Sequence, residues 1–437
     1  MSSSATSPLA RATGTASRRS RTGVIALCWG LVLLDGIDTF VYGSVLPKML
    51  GGRSLGLTPD ATGTIGSYAN FGMLLGTILS GTASNWIGRR VTVFASVTIF
   101  TLATLATGWS QSAGQFGLFR FVCGFGLGAL LPIAISYGME FTGHGRRALA
   151  TGIIMTAHQT GGALAPLIAL WLVDDHGWRT AFIASALPAL ILLPVAFKLL
   201  PESPTDLLTR GRRADAELLA ADYGTEPAEP RVNRGDKLDA VKNLFRNRQW
   251  PTTLCFWSTS FAGLLLVYGV GQWLPKIMVD LGHDTGDSLL FSTFLNVGGI
   301  FGMLIAGRTA DRTGPHKVVI AWFLLTAVFV YLMGVAMPVG VLYAVVFFAG
   351  LLLFSGQTMV YATVGTHHTG ADRPTALGWV SGMGRFGAIF GPWIGGALIE
   401  AGNADLGFTM YACAALFGAL MMAAAALTVT TRTAAQV

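Results

Sequence analysis

The sequence predicts an all-α membrane protein: twelve transmembrane helices in two six-helix halves. Three observations carry that prediction. Hydrophobic residues make up 52% of the chain and charged residues only 12%, about half the quarter usual in soluble domains. Twelve apolar runs each approach the roughly 20 residues a helix needs to cross a bilayer. One long polar stretch, residues 201–249, divides six of these runs from the other six. The 56 glycines suit such a bundle, because small residues let helices approach closely in lipid.

Taken in order, residues 1–23 are rich in Ser, Thr and Arg and read as a disordered cytoplasmic tail. No cleavable signal is expected, since the first apolar run is too long and too acidic for one. Runs at about 24–47, 62–84, 91–110, 114–139, 148–173 and 179–200 form an N-terminal six-helix bundle over 24–200. The stretch 201–249, with a charged segment from Arg210 to Asp222 suited to a surface helix, is a cytoplasmic linker. Runs at about 250–275, 288–310, 317–336, 340–364, 374–399 and 406–430 form a C-terminal bundle over 250–430, and 431–437 is a short cytoplasmic tail. Twelve spans place both termini on one side. Of the 29 Lys and Arg residues, 23 fall on that side, against Lys48, Arg53, Arg179 and Lys276 on the other. The positive-inside rule therefore predicts cytoplasmic termini in a multi-pass protein of the inner (cytoplasmic) membrane.

The composition also excludes. The formal net charge of +7 is scattered over short loops between apolar runs, a pattern of membrane topology and not of nucleic-acid binding. Cys28, Cys123, Cys255 and Cys413 lie within apolar runs without CxxC spacing and read as small core residues, not as a disulfide framework or metal site. There is no HExxH, phosphate loop or Cys/His cluster, so neither an enzyme nor a resident cofactor or metal is expected. No obligate protein partner is indicated; the lipid bilayer is the expected surroundings.

A repeat crosses the linker. Gly81-Thr-Ala-Ser-Asn-Trp-Ile-Gly88-Arg-Arg90 follows span 2, and Gly307-Arg-Thr-Ala-Asp-Arg-Thr-Gly314 follows span 8. Gly81 pairs with Gly307, Asn85 with Asp311 and Gly88 with Gly314, each at an offset of 226. Two parallel six-helix halves are a transporter architecture with the site between them.

Both loops resemble the signature of the major facilitator superfamily, whose fold the resemblance therefore implies. The N-half copy departs from it, with Asn85 for the usual Asp and Trp86 for the usual Arg, while the C-half copy keeps Asp311 and Arg312. Four further segments are similar to aromatic acid:proton symporters: Asp35-Gly-Ile-Asp-Thr39, Arg120 to Pro132, Tyr268 to Pro275, and Gly378 to Pro392. The resemblance implies proton-coupled uptake of a small aromatic carboxylate such as benzoate or a hydroxybenzoate, with the proton as coupling ion. The alternative is a drug or organic-solute:proton antiporter of the same fold, for which a midplane arginine is unhelpful.

Depth follows from a rise of about 1.5 Å per residue. Asp35 and Asp38 share one face of span 1, and each carboxylate in hydrocarbon costs roughly 2.5–3.5 kcal/mol on insertion scales. Asp38 falls about 9 Å from the outer edge, level with Arg120 of span 4, so the two are expected to pair. The pair reads as a proton-coupling switch in preference to a static structural pair, and of the two candidate proton carriers, Asp35 and Asp38, the latter is the better switch. Asp35 falls near the midplane, level with Arg385 of span 11. Arg385 reads either as the partner of a substrate carboxylate or as a balance for Asp35, and the readings coexist if substrate displaces Asp35. His158, also near the midplane, is a candidate proton relay or substrate donor, with a packing residue as the bland alternative. Asn70, Asn296 and Tyr268 are candidate lining residues, and Trp379 and Phe386, beside Arg385, are candidate flanks for a substrate ring. Gly81, Asn85, Gly88, Arg89, Arg90, Glu140 and Arg146 are assigned to gating and structure under the N-half, with Glu140 expected to pair with Arg89 or Arg90. Asp311, Arg312 and Arg373 are their counterparts in the C-half.

Overall fold

The computed structural model describes residues 20–51, 54–141, 147–224, 249–368, 372–403 and 406–435. Among them are fourteen α-helices and no strand. Twelve are long: α1 (Arg21–Gly51), α2 (Pro59–Ile87), α3 (Arg89–Gly108), α4 (Ala113–Glu140), α5 (Arg147–His176) and α6 (Trp178–Leu199), then α9 (Trp250–Asp280), α10 (Thr285–Thr313), α11 (Pro315–Leu332), α12 (Val339–His367), α13 (Asp372–Glu400) and α14 (Leu406–Ala435). Two short helices, α7 (Pro204–Thr209) and α8 (Arg213–Tyr223), follow α6. Ten of the twelve are long and apolar enough to cross a membrane on composition alone. The exceptions, α2 and α13, carry Thr62, Ser67, Asn70 and Thr77 or Ser381 and Arg385, and they face each other across the halves.

The 226-residue offset of the loop motif extends into the packing. Gly72, Gly76 and Gly124 let α2 and α4 cross so closely that an added Cβ would collide with the carbonyls of Phe121, Phe125 and Ala69. Gly298, Gly302 and Gly350, each 226 residues later, do the same for α10 and α12 against Phe347, Leu351 and Leu295. The loop glycines match as well: Gly88 and Gly314 have φ of 92° and 91°, a region costly for any residue with a Cβ. The two halves are thus built by one packing scheme.

The halves meet at the end remote from the start of α1 and the end of α14. There the Ser67 hydroxyl donates to the Ile389 carbonyl at 2.7 Å, Thr293 donates to the Ala163 carbonyl at 3.1 Å, and Gly63 lies against Gly396. Toward the terminal end Ile78, Leu79, Leu304 and Ile305 are exposed, and Gly307, Gly378 and Gly382 have open space where a Cβ would stand. The molecule is therefore closed at the far end and open at the end that carries α7, α8, the start of α1 and the end of α14.

Candidate functional site

Asp38 is buried where α1 meets α3 and α4. Its Oδ1 accepts from Arg120 Nη1 at 2.8 Å and from the Cys123 thiol at 3.1 Å, and its Oδ2 accepts from the Thr104 hydroxyl. The Arg120 guanidinium also sits over the Tyr42 ring, 5.1 Å from its centroid. Equal depth thus translates into contact. The polar role of Thr104 and Cys123 is new; Cys123 is a donor, not only a small core residue. With Arg120 neutralising it and three donors around it, Asp38 has the setting of a fixed pair. Replacing Asp38 by Asn leaves Arg120 buried and uncompensated, and a loss of about 3 kcal/mol in stability is expected. Thermal unfolding in detergent measures it; an unchanged midpoint would show that the pair carries no structural load.

Asp35 stands differently. One turn before Asp38 and equally buried, it faces the seam between the halves. Its Oδ2 lies 3.6 Å from His158 Nε2, and Gly36 lets α1 rest directly on the His158 backbone. The expected Asp35–Arg385 partnership is not formed. Arg385 Nη1 instead donates to the Tyr268 hydroxyl at 2.8 Å and approaches Met73 Sδ at 3.6 Å, while its Nε has no hydrogen-bond partner. Shared depth does not make contact here, because α1 and α13 present the two charges from different halves across the seam. The result is a guanidinium with no carboxylate within ion-pair distance among the described residues.

The other lining candidates divide. Tyr268 holds Arg385. Asn70 and Asn296 are buried, each donating its amide to a carbonyl one turn back, Gly66 or Ser292, and each leaving its Oδ1 without a partner. Gln159 Oε1, Gln272 Nε2 and Gln357 Oε1 are likewise buried and unpartnered. These glutamines were invisible as a group in the sequence, although an amide in a spanning helix is itself a signal. Trp379 and Phe386 must be corrected. They are 41% and 43% exposed, on one outward stripe of α13 with Phe390 and Trp393, and Trp379 stacks on Trp257 at 5.4 Å. Proximity to Arg385 in sequence placed them roughly 100° round the helix from it.

The profile of the Major Facilitator Superfamily matches residues 28–315 and, overlapping, 287–436. The chain belongs to the Major Facilitator Superfamily. It is accordingly a multi-pass membrane transporter and not an enzyme. Among its relatives, the benzoate transport protein of Acinetobacter baylyi is 31% identical over 86% of this chain and 83% of its own length. The gallate transporter of Pseudomonas putida is 31% identical, covering 92% of this chain and 91% of that protein. The gentisate transporter of Corynebacterium glutamicum is 29% identical, covering 92% and 87%. In fold the chain is similar to a partially occluded, inward-open structure of the xylose transporter XylE from E. coli. The TM-score is 0.73 at 19% identity, covering 92% of this chain and 98% of that one.

The superfamily loop after α2 has its own arrangement here. Arg89 forms an ion pair with Glu140, and the Ser203 hydroxyl donates to the other Glu140 oxygen at 2.5 Å. Arg90 instead reaches the Phe197 carbonyl and lies over the Phe94 and Phe197 rings. Arg146 lies outside the described residues; Gly81 falls within α2, and the side chains of Asn85 and Arg373 are not among those described. In the C-half, Asp311 and Arg312 are exposed, and Asp311 makes no ion pair with a described residue. A carboxylate reaches the N-half loop from the linker: Asp206 Oδ2 accepts the Arg89 backbone N–H at the start of α3, and Arg210 donates to the Ile87 carbonyl that ends α2, at 2.8 Å. An acid at a helix N-terminus and a base at a C-terminus each satisfy orphan backbone groups. With the Tyr137 hydroxyl bonded to the Pro201 carbonyl and Tyr223 packed on Phe141, residues 201–224 are docked beneath the N-half. Asp206→Ala is expected to lower stability by about 1–2 kcal/mol and to change turnover more than substrate affinity. Paired unfolding and uptake measurements test this; an altered affinity at normal stability would assign Asp206 elsewhere.

Proposed function

We propose that this transporter carries out proton-coupled uptake of a small aromatic carboxylate by alternating access. The observation that carries the reading is Arg385: a guanidinium oriented by Tyr268 at the seam between the halves, with no carboxylate partner of its own. A planar fork of donors matches a carboxylate in geometry and charge. The names of the relatives supply the aromatic class. A cation-exporting antiporter is disfavoured, since it would have to bind its substrate beside a guanidinium that no carboxylate contacts directly.

Asp35 and His158 are the proposed proton site, because Asp35 has no permanently charged partner and a proton is what remains to neutralise it. Asp38, which depth alone makes the better proton switch, is instead paired with Arg120, and the two hold α1 on α3 and α4. Carrying a proton with a monoanion avoids moving net negative charge against an inside-negative potential, worth about 2.3 kcal/mol per charge per 100 mV. No cofactor, nucleic acid or obligate protein partner enters the scheme. The chain sits in the inner membrane with both termini in the cytoplasm, so the open end described above faces the cytoplasm.

The test is uptake of labelled benzoate and 4-hydroxybenzoate into proteoliposomes of the purified protein, with and without an inwardly directed proton gradient. Accumulation that collapses when the gradient is dissipated is expected. Equal uptake without a gradient would remove the proton from the scheme, and no uptake of either acid would remove the substrate class.

A further inference from the structure

We infer that Asn70 and Gln272 form a second tier of the substrate site that recognises a hydroxyl at the far end of the aromatic ring. The inference rests on the carboxylate binding at Arg385, as proposed above, and narrows the substrate to para-hydroxylated acids over benzoate itself.

Three helices build two tiers. In the first, Met73 of α2, Tyr268 of α9 and Arg385 of α13 meet. Moving toward the closed end, α2 presents Asn70 about 4.5 Å from Met73, and α9 presents Gln272 about 6 Å from Tyr268 on the same helix face. The two amides converge at Gly66: Asn70 Nδ2 donates to its carbonyl at 3.1 Å, and the Gln272 amide lies where a Cβ at Gly66 would stand. Only glycine leaves that room. The axial interval between the tiers, about 4.5–6 Å from helical rise, is on the scale of a benzene ring.

The hydrogen-bonding pattern then points to a hydroxyl. Because Asn70 Nδ2 is committed to the Gly66 carbonyl, its amide orientation is settled and Oδ1 is an acceptor. That oxygen is buried and has no partner, and Gln272 Nε2 is a buried donor without one. An orphan acceptor beside an orphan donor suits a group that donates once and accepts once, which a phenol does. An unsubstituted ring would leave both buried polar atoms unpaired, a larger loss than a missing contact alone. A hydroxyl ortho to the carboxylate would remain in the first tier and satisfy neither.

The test is a panel of benzoate, 2-, 3- and 4-hydroxybenzoate and 4-methoxybenzoate as competitors of labelled uptake in proteoliposomes. The wild-type protein is expected to prefer 4-hydroxybenzoate over benzoate by about tenfold or more, with 4-methoxybenzoate, which accepts but cannot donate, near benzoate. In Asn70→Leu the ratio of 4-hydroxybenzoate to benzoate is expected to fall to near one. Gln272→Met, a change of similar volume on a different helix, supplies a second reading of the same ratio should Asn70→Leu fold poorly. A wild-type ratio near one, or a ratio that survives both substitutions, overturns the inference while leaving carboxylate uptake intact. Failure of every acid to compete would instead overturn the function on which it rests.

Discussion

Arg385→Lys is expected to weaken aromatic carboxylate uptake about a hundredfold, equivalent to about 2.7 kcal/mol. The charge is retained, so the loss isolates geometry. A lysine ammonium is a strongly hydrated point charge, whereas the guanidinium offers two parallel donors to one carboxylate. The Tyr268 hydroxyl accepts from Nη1 at 2.8 Å and so sets the plane of that fork, and its Nε lacks any other partner. A lysine there keeps neither the plane nor the second donor. Arg385→Gln should be worse still, since it removes the charge that draws the anion out of water. Half-saturation for benzoate and 4-hydroxybenzoate, together with ligand-induced thermal stabilisation of the purified protein, measures the effect. Uptake by the lysine variant within about threefold of wild type would show that the fork is not the carboxylate site.

What the sequence made legible here is position along a helix; what it hid is position around one. The spans, the repeat and the Asp38–Arg120 contact all follow from counting residues, because helical rise is fixed. The same counting put Asp35 level with Arg385, yet Asp35 meets His158 and Arg385 meets Tyr268. Contact also needs azimuth and lateral distance, which depend on how the halves dock. Trp379 and Phe386 fail for the same reason: near Arg385 in number, they occupy the outward stripe of α13. Thr104 and Cys123 were hidden because hydroxyls and thiols are common in spanning helices and only a buried carboxylate gives them a distinct role. Asp206 was hidden by distance, a linker residue serving a loop 117 positions earlier. The glycines behaved oppositely. Their 226-residue spacing, read first from two loops, reappears in three pairs of glycines at one pair of equivalent helix crossings, since close approach admits no other residue.

Asp35→Asn is expected to abolish gradient-driven accumulation while leaving exchange of internal for external substrate largely intact. The reasoning is charge balance at the seam. Asp38 and Arg120 cancel each other, which leaves Arg385 and Asp35 as the two opposite charges facing the site, with His158 beside Asp35 taken as a neutral imidazole. The empty carrier is then neutral: one guanidinium, one carboxylate. The carrier holding a substrate anion on Arg385 and a proton on Asp35 is neutral as well. Either ligand alone leaves one uncompensated charge in the site, and a lone charge in a membrane interior costs at least about 2.5–3.5 kcal/mol. Only the empty and the doubly loaded forms therefore change access readily, and that restriction is what couples proton to substrate. Asparagine imitates the protonated aspartate permanently. Loaded with the anion, the variant is neutral and crosses; empty, it carries the bare charge of Arg385 and does not return. Exchange needs only the loaded crossing, whereas net uptake needs both. The comparison is made in proteoliposomes preloaded with unlabelled substrate and in empty vesicles under a proton gradient. Accumulation by Asp35→Asn at the wild-type level in empty vesicles would exclude Asp35 as the coupling carboxylate. Loss of exchange together with accumulation would show instead that Asp35 is needed to bind the substrate.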